Sequence, residues 1–220
     1  MKHIFYYLLV ILFFLPLTAW TQDDVFNYPL RPETSGAFKT VTDRLAEYPI
    51  TRGRFEQEKI LSRLGRSLKS GGNFIITANQ GMVWETLNPF PSTLVLGKDY
   101  LIQSRPGGQK TALSAEGNET FLRLAEVLSA VFSGNAQGLL DNFDIFFTVK
   151  NSAGRAWEMG LSPRDRAISS FAAKITMSGD DVIRSIMINE QSGDITKYVL
   201  SNHSHPAELN VNEKALFALP

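Results

Sequence analysis

Cysteine is absent, which excludes a disulfide framework, thiolate metal sites, a cysteine nucleophile and a lipid anchor on a cysteine of this chain. Charge of one sign is absent too: 22 Lys+Arg against 22 Asp+Glu leave a formal charge of zero over 220 residues. Neutralising phosphates needs a basic excess, so the composition argues against a nucleic-acid partner. Histidine is scarce, with three in all. His3 lies in the apolar N-terminus, and His203 and His205 flank Ser204. A zinc site wants three or four ligands, and no spaced carboxylates accompany this pair. It reads as a solvated strand end before Pro206. There is no Gly-x-Ser-x-Gly elbow, no phosphate-binding glycine loop and no His-Glu-x-x-His. Asp180-Asp181 reads as a turn, and Glu56 and Glu58 as one face of a half-exposed strand. No catalytic residue and no metal ligand are assigned.

Long apolar runs are missing beyond the first twenty residues. Lys2, an uncharged run from Ile4 to Leu15, Pro16 and the small residues of Leu17-Thr18-Ala19 form the pattern of a secretory signal peptide. The run is short for a bilayer-spanning helix; an uncleaved anchor reaching Trp20 is the alternative. The expected organisation is a signal over residues 1–19, a polar leader over 20–33 and one domain over 34–220. The expected location is the periplasm.

What is present is a hydrophobic share of 44%, ordinary for a globular protein, with 15 Phe and 3 Trp. Phe38, Val41, Leu45 and Tyr48 form a helical stripe that begins near Thr34 or Ser35 and stops before Pro49. From residue 50 the period changes to two. Strands are predicted at Thr51 to Ile60, Asn73 to Ala78, Gly81 to Leu87, Ser92 to Leu96, Tyr100 to Ser104 and Lys110 to Leu113. Asn88-Pro89-Phe90-Pro91 is a turn. Helices follow, from Asn118 to Gly134 and from Asn135 to Asn142. Strands resume at Phe143 to Lys150 and Ala156 to Leu161. A short helix is expected from Ser162-Pro163 to Ser170, with proline at its first position. Ala172 to Met177, Val182 to Glu190 and Ile195 to Ser201 are the last strands, and the tail after Pro206 is irregular. About ten hairpin-connected strands with helices inserted make an α+β fold: a large antiparallel sheet with helices on one side.

Alternation places Phe74 and Ile76, Met82 and Trp84, Leu94 and Leu96, and Phe143, Ile145 and Phe147 on strand faces. Phe121, Leu124 and Leu128 share one helix face. A curved sheet covered by such a helix either packs dry or encloses a cavity, and periodicity does not distinguish the two.

Gly53-Arg54-Phe55-Glu56-Gln57 resembles the Gly-x-Phe-x-Gln strand of the periplasmic outer-membrane lipoprotein carrier family, the LolA type. Leu68-Lys69-Ser70-Gly71-Gly72-Asn73-Phe74 and the segment from Gly81 to Ser92, with its Trp84, Thr86 and Pro89-Phe90, are similar to the strands that follow. Leu216-Phe217 resembles a late element of the family. The motifs cover Gly53 to about Leu101. The resemblance implies an unclosed antiparallel β-barrel whose helices cover an apolar cavity, with no cofactor. It implies an acylated lipoprotein or lipid as cargo, an inner-membrane donor complex, an outer-membrane acceptor and a monomeric, non-catalytic carrier. Under it, the twelve apolar residues of the preceding paragraph line the cavity. Ala78-Asn79 departs from the Arg-Pro pair of the best-known carriers, so lid control and cargo differ. The other readings are a lipid or lipoprotein sensor on the same fold, and a secreted hydrolase with a dispersed site.

Overall fold

The computed structural model describes residues 24–97, 100–108, 110–114, 130–131, 134–150 and 155–218. Eleven strands form one antiparallel sheet: β1 (Ile50–Leu61), β2 (Arg66–Thr77), β3 (Gly81–Asn88), β4 (Ser92–Leu96), β5 (Tyr100–Ser104), β6 (Thr111–Ser114), β7 (Phe143–Val149), β8 (Trp157–Pro163), β9 (Ala172–Gly179), β10 (Ile183–Glu190) and β11 (Ile195–Ser204). Their spatial order is β6-β5-β4-β3-β2-β1-β11-β10-β9-β8-β7. Two meanders, β1 to β6 and β7 to β11, are therefore joined edge to edge where β1 pairs with β11. The sheet stays open, with β6 and β7 at its margins. The expected open antiparallel architecture is what is found.

Several boundaries differ from the sequence reading. The second strand begins at Arg66, not Asn73, because Gly71 and Gly72 lie inside the strand at a register shift opposite β3. A side chain at Gly72 would collide with the Glu85 carbonyl, so glycine here marks a close strand approach and not a turn. Pro163 ends β8 instead of opening a helix. The helix that follows, Arg166–Phe171, is capped by Asp165, whose carboxylate accepts from the Ala167 and Ile168 N–H groups. The other helices are α1 (Pro32–Ala46), α2 (Ala136–Asn142) and, after α3 (Arg166–Phe171), α4 (Val211–Leu216). The helix expected from Asn118 to Gly134 lies outside the described residues apart from Ala130, Val131 and Gly134.

Strand register assigns each residue to one of two faces, since directly opposed residues point the same way. On the inner face stand Phe143, Ile145 and Phe147 of β7, Met159 and Leu161 of β8, Ile175 and Met177 of β9 and Ile186 of β10. All are buried, and α1 packs over them through Phe38 and Val41. The Phe38 and Phe147 rings meet edge-on at 5.8 Å. Residues upstream of α1 are docked as well. Pro29 bridges to Phe146, and the Leu30 N–H donates to the Ile145 carbonyl at 2.8 Å.

The outer face has its own apolar layer: Ile50, Ile75, Val83, Val95 and Ile102, covered by Leu209, Leu216 and Phe217 of the tail. The tail is fixed by polar contacts at its margin. The Tyr100 hydroxyl donates to the Phe217 carbonyl at 2.8 Å, and Arg52 pairs with Glu213 at 2.7 Å. Sequence periodicity gave this tail no role, because its apolar residues are too few to show a period.

A part-buried ion pair ties the two meanders on the inner side. Lys59 of β1 meets Glu190 of β10 at 2.8 Å, and the Thr196 hydroxyl donates to the same carboxylate at 2.7 Å. Burial alone would raise the Glu190 carboxyl. The Lys59 ammonium and the Thr196 hydroxyl outweigh it and hold the group below the ordinary glutamate range.

Two stability tests follow from these contacts. Phe217→Ala removes the largest side chain of the outer layer and is expected to cost about 3 kcal/mol in urea unfolding. Because the folded-state value of Glu190 is depressed, its contribution is present above the unfolded value of about 4.3 and fades as pH falls below it. Glu190→Gln is therefore expected to lower stability by about 2 kcal/mol at pH 7. That gap should narrow as the pH of the unfolding titration is taken through and below the same value of about 4.3. A gap that does not change with pH would remove the ion pair from the account.

Candidate functional site

The inner face changes character along the sheet. Over β7 to β10 it is closed by packing. Over β2 to β4 it is half-open. Register places Phe74↔Trp84, Ile76↔Met82, Trp84↔Leu94 and Met82↔Leu96 as direct neighbours on that face. Phe74 and Leu96 are buried, Ile76, Met82 and Trp84 are half-buried, and Leu94 is 37% exposed. All nine strand residues singled out from the sequence thus fall on one face of one sheet. Phe143, Ile145 and Phe147 are fully packed there, whereas Ile76, Met82, Trp84 and Leu94 keep accessible surface. Phe121, Leu124 and Leu128 lie outside the described residues.

An aromatic stack forms the wall. Trp84 lies on Phe55 with ring centroids 4.1 Å apart and 25° between planes, and on Phe74 at 6.1 Å and 22°. Tyr198 closes it edge-on at 5.5 Å from Trp84. Offset and edge-on geometries of this kind suit the ring quadrupoles. Gly53 makes the stack fit: it stands opposite Phe74, and a Cβ there would come within 2.8 Å of that ring. Sequence reasoning left Phe55 and Tyr198 out of the wall. The alternation of Gly53, Phe55 and Gln57 carried the signal for Phe55, but that strand looked polar because its outer face holds Arg54, Glu56 and Glu58. Beyond the stack the inner face turns polar, with Ser70 donating to Gln57 at 3.2 Å and the Lys59–Glu190 pair at its end. Burial, and then the Glu190 charge, push the Tyr198 phenol up to about 12, so it stays neutral across the physiological range.

The opposite end of this face carries the two histidines. His203 packs against the Phe74 ring, centroids 5.7 Å apart. Burial lowers its affinity for a proton, and the nearby Arg184 charge adds to that. His205 stacks on Tyr48 at 3.7 Å, with its Nδ1 3.2 Å from the Thr51 hydroxyl. The strand end expected to be solvated is therefore a packed corner. No group of three or more metal-ligating side chains occurs among the described residues. The turn at Ala78, where the resembled carriers hold arginine, is tied by the Ala78 N–H, which donates to the Pro49 carbonyl at 2.9 Å, and by the Thr77 hydroxyl, which donates to the Gly81 carbonyl and accepts from the Gln80 N–H.

Three clefts differ in chemistry. The one beside His203, under Leu45 and Tyr48, offers about 30 Å³, room for a water or two. A cleft of about 460 Å³ opens between Tyr28, Pro29, Ala37 and the inner-face residues Phe147 and Val149 and is mostly apolar, with Arg31 at its edge. A polar groove of about 550 Å³ crosses β11, β1 and β2 among Arg54, Glu56, Lys69, Lys197 and Ser201. By size and lining the 460 Å³ cleft suits an apolar chain, whereas the first cleft is too small and the 550 Å³ groove is polar.

No protein-family model matches the chain, and no curated protein matches it at the sequence level. Similar folds occur among solved structures. A LolA superfamily protein of Nitrosomonas europaea is 9% identical, with 84% of this chain and 97% of that one covered at a TM-score of 0.48. A DUF1329 family protein of Desulfovibrio piger is 10% identical, with 86% and 98% covered at 0.46. LprF of Mycobacterium bovis is 13% identical, with 83% and 98% covered at 0.45. These likenesses are of backbone shape alone.

Proposed function

We propose that this protein is an exported, non-catalytic carrier that shields the acyl chains of a lipoprotein or related lipid on the inner face of its sheet. The observation that carries the reading is the half-open apolar wall of Ile76, Met82, Trp84 and Leu94, continuous with a fully packed core on the same face. Over most of β7 to β10 the same face is closed by packing, and the contrast sets the wall of β2 to β4 apart. Large side chains left partly accessible in a row are a surface held ready for an apolar partner.

The physical need is plain. Exposing a buried methylene to water costs about 0.8 kcal/mol, so a sixteen-carbon chain costs on the order of 12 kcal/mol to hold in solution. A carrier must offer comparable apolar area and still release its cargo, which requires two states of similar free energy. The signal pattern of residues 2–19 supports an exported location. An inner-membrane donor and an outer-membrane acceptor complete the proposed route. The motifs from Gly53 to Leu101, including Trp84, support an acylated cargo.

Two measurements test the reading. Mass spectrometry of organic extracts from natively purified protein is expected to find an acylated molecule in stoichiometric amount. Leu94→Asp places a carboxylate on the wall at a position already 37% exposed, so the fold is expected to survive with little change in melting temperature. Binding of a fluorescent fatty-acid probe should weaken about ten-fold or more, since burying that charge costs a few kcal/mol. Trp84→Asp is expected to abolish binding outright. Unchanged probe affinity in a folded Leu94→Asp protein, together with a parent that holds no lipid, would falsify the proposal.

A further inference from the structure

The register identifies strand connections that share one end of the sheet. Leu61↔Arg66, Thr86↔Ser92 and Ile60↔Ile195 place the β1–β2, β3–β4 and β10–β11 turns on the same rim, and Thr93↔Ser104 adds the β5–β6 turn. β2 pairs with β3 no further out than Gly71↔Asn88, so the tip of the β1–β2 hairpin projects past its β3 neighbour. Large apolar side chains sit in the open on this rim. Phe90, between Pro89 and Pro91, is 82% exposed, Leu64 67% and Leu68 59%, with Leu87 beside them at 42%.

The charge on the same turns has one sign. Arg63, Arg66 and Lys69 flank the two leucines, and Arg105 and Lys110 bracket the β5–β6 turn; all five are exposed. None of the five takes part in an ion pair among the described residues. No acidic residue lies within 62–67, 89–91 or 105–110. The acidic groups near this rim lie back from the tips: Asp144 pairs with Arg164, Asp165 caps the start of α3, Asp194 accepts from the Ser62 N–H, and Glu58 stands opposite Lys69 across the β1–β2 pair. In a chain of zero net charge, this is a local excess.

We propose that the β1–β2 and β3–β4 turns dock the protein on an anionic phospholipid surface, with Leu64, Leu68 and Phe90 entering the interface and Arg63, Arg66 and Lys69 meeting lipid phosphates. Two neighbouring turn tips with exposed apolar residues, Leu64 and Leu68 on one and Phe90 on the other, and the cations of the β1–β2 hairpin beside them, match a fluid plane that yields around them. A protein partner would call for a groove or a flat packed patch; the neighbouring groove is polar and takes in Lys69 but none of Leu64, Leu68 and Phe90. The inference is independent of the acyl-carrier reading, because the rim lies outside the wall of Trp84 and Leu94.

The chain has no cysteine, so a single one reports a single place. Leu64→Cys, Phe90→Cys and, as a control on the outer face, Val211→Cys are labelled with an environment-sensitive fluorophore in the full chain. Vesicles of one part phosphatidylglycerol to two parts phosphatidylcholine are expected to shift the emission of the first two labels to the blue and leave the third unchanged. Vesicles of phosphatidylcholine alone should shift none of them strongly, and salt near 0.5 M should weaken the response. Combining Arg63→Gln, Arg66→Gln and Lys69→Gln should weaken the apparent affinity about a hundred-fold, at roughly one kind of lipid contact per cation. Leu94→Asp should leave the response intact, which separates this inference from the cargo reading. No shift at residues 64 and 90, an equal shift at 211, a response indifferent to phosphatidylglycerol, or a shift without vesicles that grows with protein concentration would each overturn the proposal.

Discussion

The pairing of β1 with β11 is the contact on which the rest of the molecule depends. Each meander alone is a strip with an apolar face. Joined from Arg54↔Ser201 to Ile60↔Ile195, they become one surface on which Phe55 lies opposite Leu200 and Gln57 opposite Tyr198. The period of a strand is two, so a slip of one residue at this seam would turn Phe55 outward and break the aromatic stack with Trp84. The Lys59–Glu190–Thr196 cluster sits at the seam and spans three strands. It is a directional contact where apolar packing alone would tolerate sliding.

The two faces use apolar surface differently. The outer layer is finished by the chain's own tail, with Phe217 as its plug. Among the described residues, the inner layer is covered by α1 chiefly on the β7 to β10 side. The glycines of β1 and β2 belong to this division. Gly53 gives room to the Phe74 ring and Gly72 lets β3 approach, so the rings of Phe55, Phe74 and Trp84 lie in layers along the sheet instead of standing up from it. A wall of flat-lying rings is smooth, and under the proposed carrier role a smooth wall would let an alkyl chain lie along it in more than one register.

Much of this was legible in the amino-acid order. Alternation located nearly every strand, with Ser92–Leu96 and Tyr100–Ser104 matching to the residue, and it put nine apolar residues on what proves to be one face. Three features were not legible, each for a physical reason. Glycine inside a strand has the same composition as glycine in a turn, so the first half of β2 was hidden. A short tail such as Leu209 to Phe217 buries few side chains and has no period to detect. His203 and His205 looked solvated because proximity to Pro206 suggested an end, whereas Phe74 and Tyr48 reach them from segments more than 120 residues away in sequence. Which residues of the inner face stay accessible depends on how the two meanders are set against each other, and no local pattern encodes that.

The seam also bears on how the chain reaches its final shape. β1 ends at Leu61 and its partner β11 does not begin until Ile195, so the edge of β1 remains bare until nearly the whole polypeptide is present. Contacts of such long sequence separation form late. This order leaves the two meanders as separate strips until the last strand is made, and reserves closure of the seam for the end of folding.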